Sequence, residues 1–357
     1  MIGMSVGPPG NWFCGSNLRR GGVTHGEQGL FERLCSLENL FLAWERFRKG
    51  KRSRHDVMVF ERHLEDNLFL LHDDLANGRF THGPYHPFTV FDPKQRSIHK
   101  ANVRDRVVHQ AAMNVIDPLF EPRFIFDSYS CRVGKGTHAA VARLRTFLRQ
   151  ASFNNTRTVY ALTCDIRKFF ASVDHGILAD LLRLRIGDER ILRLLGNIIG
   201  SFSDAPGKGI PLGNLTSQLF ANVYLHELDR FVKHELRLRH YLRYCDDFVS
   251  LAASPADAQA KATRINSFLS ERLKLTLHPG KVVVRTWTQG IDFVGYVLLP
   301  HATVLRTKTA KRMLRRATIE NLSSYMGLCV HADAQFLSRT LRHKVWERHV
   351  DVTRLRG

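Results

Sequence analysis

The chain has 357 residues, 44% hydrophobic and 24% charged, the composition of an ordinary globular protein with length for about two domains. Its 53 lysines and arginines face 33 aspartates and glutamates, a formal charge of +20 and a pI near 10.1, which points to a polyanionic partner such as nucleic acid. Six scattered cysteines without a CxxC pair argue against a zinc site or a disulfide framework and fit a reducing cytoplasm, and no apolar run approaches the ~20 residues a membrane span needs.

Residues 1–24 are rich in Gly and Pro, lack the order of a signal peptide and read as a mobile tail. Residues 30–76 carry helical periodicity, with Leu34, Leu37, Leu40, Phe41 and Trp44 close to one face and a stop at Gly78. The chain turns β-like and basic over 79–100, helical over 101–120, then passes through the Gly-punctuated turn SYSCRVGKGTHAA into the helix VARLRTFLRQ. A short apolar strand, 158–166, ends in Asp165, and SVDHGILADLLRLRIG reads as a capped helix. A Gly-rich loop then leads into a long helix, followed by the hairpin YLRYC–DD–FVSLAA and a helix over 255–273. KLTLHPGKVVVRTW and GIDFVGYVLLP supply further strands, and the last ~50 residues are basic and helical.

Asp73-Asp74 sits on a polar helix end and reads as a solvated face, whereas Asp246-Asp247 lies between two strands that should be largely buried. A turn accounts for one Asp. It does not account for a second, nor for Asp165 at the end of another apolar strand. Adjacent carboxylates repel and raise each other's pKa unless a cation intervenes, so a shared divalent-cation site is the better reading.

At these residues the chain resembles reverse transcriptases. Tyr244-Cys245-Asp246-Asp247 is similar to the YxDD box, and Asp165-Ile-Arg-Lys-Phe-Phe170 to the first catalytic block, D-x-x-x-[FY]-F. Lys94 and Arg96, followed by Val103-Arg-Asp-Arg106, resemble the fingers block that holds the incoming triphosphate. Ser128-Tyr-Ser-Cys-Arg132-Val-Gly134 resembles the next fingers block, Lys281 the lysine that helps protonate pyrophosphate, and Gly290–Tyr296 the primer grip. The resemblance covers roughly residues 33–345 and implies an α+β right-hand polymerase fold. Its parts would be a helical extension (25–78), fingers (79–157), a palm whose antiparallel sheet has helices on one side (158–300, with the 205–218 loop touching nucleotide and template) and a helical thumb (301–357).

The resemblance also implies roles. Asp165, Asp246 and Asp247, with the Ile166 carbonyl, would hold two Mg²⁺ ions, and dNTPs would be the substrates. Lys94, Arg96, Phe170, Leu212, Gly213 and Gln218 would meet the nucleotide, with Phe170 as the gate against a ribose 2′-OH. Arg132, Lys135, Tyr244, Phe293, Gly295, Tyr296, Lys308, Lys311, Arg312 and Arg315 would meet template RNA and the RNA/DNA hybrid. The plain alternatives are a core Phe at 170, surface cations at 94, 96 and 281, and a solvated face on the basic helix.

Most reverse transcriptases carry Q-G-x-x-x-S-P in the nucleotide loop; here it reads Leu212-Gly213-Asn214-Leu215-Thr216-Ser217-Gln218. That form resembles the enzymes of diversity-generating retroelements, as do GKGTHAAV and SYMGLCVHADAQFL. Such enzymes copy a template-repeat RNA with errors at adenines. Their expected partner is a small, basic, pentameric accessory variability protein, and the setting is a bacterial or phage-encoded cytoplasmic one. Leu212 has neither donor nor acceptor where Gln would hydrogen-bond the nucleotide, so it either lowers fidelity or packs against the fingers. The competing readings are a defence-associated reverse transcriptase, an RNA-binding scaffold without activity, and a metal-dependent phosphodiesterase; the intact aspartates argue against the scaffold.

Overall fold

The computed structural model describes residues 29–91 and 95–354. Lys94 and the 1–24 tail lie outside the described residues. Helices α1 (Leu30–Cys35), α2 (Leu37–Arg48) and α3 (His55–Arg62) pack on the long α5 (Val103–Phe120), and α4 (Leu64–Ala76) packs on α1, α2 and α3. Their apolar stripes meet in one core, where Leu34, Leu40, Trp44, Leu68 and Val107 are fully buried. Short polar side chains set where helices begin: Ser36 Oγ accepts from Asn39 N (3.2 Å) at α2 and Asn102 Oδ1 from Asp105 N (2.8 Å) at α5.

Between α4 and α5 the chain forms a two-stranded ribbon, β1 (His86–Val90) against β2 (Arg96–Lys100). After α6 (Thr137–Ala151) comes β3 (Tyr160–Asp165), then α7 (Phe169–Ser172), α8 (His175–Arg183), α9 (Glu189–Gly200) and α10 (Leu215–Arg230), which runs on as a π-helical turn over Phe231–Glu235. The hairpin β4 (Tyr241–Tyr244) and β5 (Asp247–Ala252) follows, then α11 (Pro255–Leu273) and β6 (Val283–Thr286). These strands form an antiparallel sheet of order β4-β5-β3-β6. A second antiparallel sheet, β7 (Ile291–Phe293), β8 (Tyr296–Leu298) and β9 (Thr303–Leu305), precedes α12 (Thr307–Arg316), α13 (Ile319–Val330) and α14 (Gln335–Arg354).

Successive side chains along a strand point to opposite faces. Leu162, Cys164, Tyr241 and Phe248 therefore face the core built with α8, α10 and α11, while Ala161, Leu242, Val249 and Leu251 face a second core built with α6, the β7–β9 sheet and the C-terminal helices. Two expectations change here. Helices do not cover one side of the palm sheet alone: both faces of β3, β4 and β5 are apolar, so α6, expected in the fingers, closes the far end of the second face. The C-terminal helical segment starts at Thr307, because 303–305 pairs with β8 as a strand.

Candidate active site

Register brings the carboxylates together. Asp165, the last residue of β3, is the direct cross-strand partner of Asp247, the first residue of β5. Both lie on the face of Ala161 and Val249, beyond the point where α6 and the second sheet cover it. Asp246 occupies the two-residue turn with Cys245, closed by the pair Tyr244↔Asp247. Burial, then the charge of Asp246, then a hydrogen bond with Asp165 push Asp247 up to about 7. Burial and the charge of Asp165 raise Asp246 as well. Lys281, on the short turn Pro279–Lys281, donates from Nζ to Asp165 Oδ2 at 2.6 Å.

The residues fit a divalent cation by this chemistry. Carboxylate oxygens are hard ligands, Asp246 and Asp247 are raised by burial and by neighbouring negative charge that a cation would relieve, and the Lys281 ammonium already pairs with Asp165. Among the described residues no three His, Cys, Asp or Glu side chains stand as a ready-made ligand cluster. Asp165 and Asp247 stand on strand ends with Asp246 in the adjoining turn, and bound nucleotide phosphates would have to supply further oxygens. Ile166 is opposite Leu277, while Asp165 O accepts from His278 N (2.8 Å) and Arg167 N donates to Thr276 O (2.9 Å). In an antiparallel pair this alternation turns the Ile166 carbonyl away from 277 and toward the β5 side, where the aspartates lie.

A cavity of ≈ 270 Å³ opens on this face, lined by Thr163, Asp165, Asp247, Lys281, Phe293 and Arg306 among others. Asp247 also borders a larger cleft of ≈ 960 Å³ that reaches Phe91 on one side and Gly295, Arg306, Lys308, Lys311 and Arg315 on the other. Lys308, Lys311, Arg312 and Arg315 recur at i, i+3, i+4 and i+7, one face of α12, with Met313 buried beneath them. Phosphate contacts of this kind set affinity without reading sequence. Replacing Lys308, Lys311 and Arg315 together by Gln should lower the slope of log affinity against log salt by about 2 to 3 for a hybrid duplex. Nucleic-acid binding titrated over a salt series checks it; an unchanged slope would place these charges off the path.

The loop before α10 is fastened to the β1–β2 ribbon. His99 N donates to Leu212 O (3.2 Å), a Cβ on Gly213 would meet Ile98 Cγ2 at 2.9 Å, and Asn214 Nδ2 donates to Tyr85 Oη (3.1 Å). Gly213 has φ 107, a conformation and a close approach that favour glycine. Leu212 is half-buried and Gln218 exposed. Arg96 is exposed at the start of β2, opposite Val90. Phe170 is half-buried against the palm core, stacking edge-on with Phe169 at 5.3 Å, and its carbonyl accepts from Ile210 N.

Several of the residues expected to meet nucleic acid also make contacts within the fold, and Phe293 and Tyr296 line the cavities beside the carboxylates as well. Arg132 donates to Glu121, to Ile125 O (2.7 Å) and to Ser128 O (2.9 Å), with 7% of its side chain exposed, and so ties down the turn before α6. Lys135 donates to Phe126 O at 2.9 Å and lies over the Phe126 ring. Phe293 and Tyr296 are core residues, and Tyr296 Oη donates to Leu328 O. What that hairpin presents is its turn: Val294 (φ 41) and Gly295 (φ 96) are both left-handed, as a two-residue type I′ connection requires. Tyr244 Oη accepts from Thr137 Oγ1 at 3.1 Å.

Sequence reasoning missed what lies on the other face of the YCDD strand. Arg243 is fully buried and donates to both oxygens of Asp229 on α10 (Nε–Oδ1 2.8 Å, Nη2–Oδ2 2.7 Å). Tyr241 Oη donates to the same Asp229 Oδ1 (2.8 Å). The remaining guanidinium protons reach Asn222 Oδ1, Ser128 Oγ and the Cys245 carbonyl (3.0 Å). Burial pulls the pKa of Arg243 down, and Asp229 more than offsets it. The only signal in the sequence is an arginine at a strand position whose neighbours on that face, Tyr241 and Phe248, are apolar.

The description "Reverse transcriptase (RNA-dependent DNA polymerase)" belongs to the family model that matches residues 92–298. Protein YkfC of Escherichia coli K12 is 27% identical over 285 residues, 68% of this chain and 73% of its own length. Group II intron-encoded protein LtrA of Lactococcus lactis is 23% identical over 64% of this chain, which spans about half (49%) of LtrA. Apo telomerase from Candida tropicalis, truncated from its C-terminal domain, superposes over 64% of this chain and 55% of its own with a TM-score of 0.46 and 14% identity. Among the described residues no helix is long and apolar enough to cross a membrane. With the family model covering more than half of its length and three aspartates gathered at one end of an antiparallel sheet, this chain belongs to the reverse transcriptase family and has the right-hand polymerase fold.

Proposed function

We propose that the chain is an RNA-directed DNA polymerase that makes cDNA from a template-repeat RNA of a diversity-generating retroelement, with errors at template adenines. The observation that carries polymerase activity is the Asp165–Asp247 cross-strand pair beside Asp246, opening onto a cleft edged by the cations of α12. Two divalent cations bound there would supply charge stabilisation for in-line phosphoryl transfer. Asp165, Asp246 and Asp247 bind and orient; as the primer 3′-oxygen, its proton passing to solvent, bonds to the α-phosphorus and the α–β phosphoanhydride bond breaks, Lys281 gives a proton to the departing pyrophosphate. The retroelement assignment rests on the loop Leu212–Gln218 and on the two further segments that resemble those enzymes; its expected partners are the retroelement RNA and the pentameric accessory variability protein.

Leu212 places its carbonyl on His99 N, so its side chain is free to change without loss of that backbone bond. Leu212→Gln should restore a hydrogen bond to the nucleotide and reduce adenine misincorporation by several-fold, about 1 kcal/mol of regained discrimination. Primer extension on an RNA template with Mg²⁺ and dNTPs, with products sequenced for both proteins, tests the whole reading. Wild-type errors concentrated at adenines and fewer in Leu212→Gln support it. Extension with even, low error refutes the retroelement assignment, and no extension with accessory protein and cognate RNA supplied refutes the polymerase.

A further inference from the structure

Cys245 holds a left-handed backbone (φ 56) in the turn that carries the aspartates, where a two-residue hairpin favours glycine. Such a conformation persists only where surrounding structure over-determines it. The neighbouring side chain that reaches this turn from beneath the sheet is Arg243, through Nη1 to the Cys245 carbonyl at 3.0 Å. Its guanidinium is itself immobilised at both ends, by Asp229 on α10 and by Ser128 Oγ of the segment preceding α6. That segment is tied to the same strand by its backbone: Arg243 N donates to Asp127 O and Tyr129 N to Arg243 O, both at 2.9 Å. Asn222, also on α10, accepts from Arg243 and donates to Ser130 O.

We propose that Arg243, held by Asp229, is a positioning residue for the metal-binding aspartates. It fixes the Cys245 carbonyl, and so the turn, from the face opposite the carboxylates. The inference rests on the polymerase reading for its purpose, but its geometry concerns cation affinity directly. A buried pair that only filled the core would sit among side chains. This one gives one of its donors to the backbone of the catalytic turn and the rest to groups that cannot move with the turn.

The test is Mn²⁺ binding by the full chain, read by electron paramagnetic resonance, beside primer extension at varied Mg²⁺. Two variants are compared. Arg243→Lys keeps the charge on Asp229 but lacks the second arm that reaches Cys245 O. The double variant Asp229→Leu/Arg243→Met removes both charges at similar volume, a change that buried pairs commonly tolerate in folding. Each folded variant is expected to bind Mn²⁺ about tenfold more weakly and to need about tenfold more Mg²⁺ for half-maximal extension. Its KM for dNTP at saturating Mg²⁺ should stay within about twofold of the wild type. Wild-type Mn²⁺ affinity in either folded variant would overturn the proposal, as would absence of Mn²⁺ binding by the wild-type protein. Should Arg243→Lys fail to fold, the double variant decides alone, and should both fail, the pair is structural and the proposal falls. Wild-type Mn²⁺ binding without extension, accessory protein and cognate RNA being supplied, would refute the polymerase reading and leave the positioning inference standing on its own readout.

Discussion

Asp246→Asn should lower primer extension by about a thousandfold while leaving the protein folded and, without metal, more stable. The first effect follows from charge. A neutral amide in place of a carboxylate weakens the hold on a divalent cation, and several kcal/mol of transition-state stabilisation go with it, about 4 kcal/mol for three decades of rate. The second follows from the crowding of carboxylates. Asp246 and Asp247 are raised by burial and by neighbouring negative charge, so ionising them in the metal-free fold works against folding. Asp247 has a folded-state pKa of about 7 against 3.8 for the free group. The folded state therefore keeps a proton that the unfolded chain has released, and metal-free stability falls as pH rises from about 4 to about 7. Asp247→Asn should flatten that fall, and millimolar Mg²⁺ should do the same for the wild type but not for the variant. Thermal melts at pH 5 and pH 8, with and without Mg²⁺, measure both. A variant that melts lower than wild type at pH 8 without metal would contradict like-charge strain at this site.

The parts of the site that were legible in the sequence are those where chemistry contradicts local environment. Asp165, Asp246 and Asp247 stand out because carboxylates close apolar strands, and the strand ends bring Asp165 and Asp247 into one register pair. The helix expected over 255–273 is α11, and local signals hold its start: Ser254 as cap, Pro255 in the first turn and Asp257 as a first-turn acid. What the sequence hid is long-range. Strand β9 has three residues, too few for a pattern, and exists through its pairing with β8. Helix α9 by contrast carries local signals, an Asp188 cap and a clear apolar stripe of Ile191, Leu194, Leu195 and Ile198. Arg132 looked like a ligand contact because nothing local shows that Glu121 and two backbone carbonyls take its protons. Arg243 looked like one more of many cations because its partner lies fourteen positions earlier, on a helix that meets the strand only in the fold.

Asp229→Ala should cost about 3–5 kcal/mol of folding stability, whereas Asp229→Leu/Arg243→Met should cost less, about 1–3 kcal/mol, because Tyr241 Oη still loses its acceptor. The asymmetry comes from what each change leaves behind. Both side chains of the pair are fully buried, and Asp229 accepts from Arg243 twice and from Tyr241 Oη once. Taking away the carboxylate alone strands a guanidinium in the core with two donors unmet and leaves the Tyr241 hydroxyl without its acceptor. Burial of the guanidinium is then opposed by neutral acceptors alone, Asn222 Oδ1, Ser128 Oγ and the Cys245 carbonyl. Removing both charges abolishes the desolvation penalty together with the attraction. For a chain of this length a loss of 3–5 kcal/mol corresponds to a melting temperature lower by about 5 °C. Chemical denaturation of the three proteins separates the cases, since a midpoint shift at constant slope reports stability and a changed slope reports a loosened native state. Equal destabilisation by the single and the double change would mean that the pair contributes by attraction alone. A single change near neutral would mean that water or another anion reaches Arg243, which its complete burial between α10 and the palm sheet argues against.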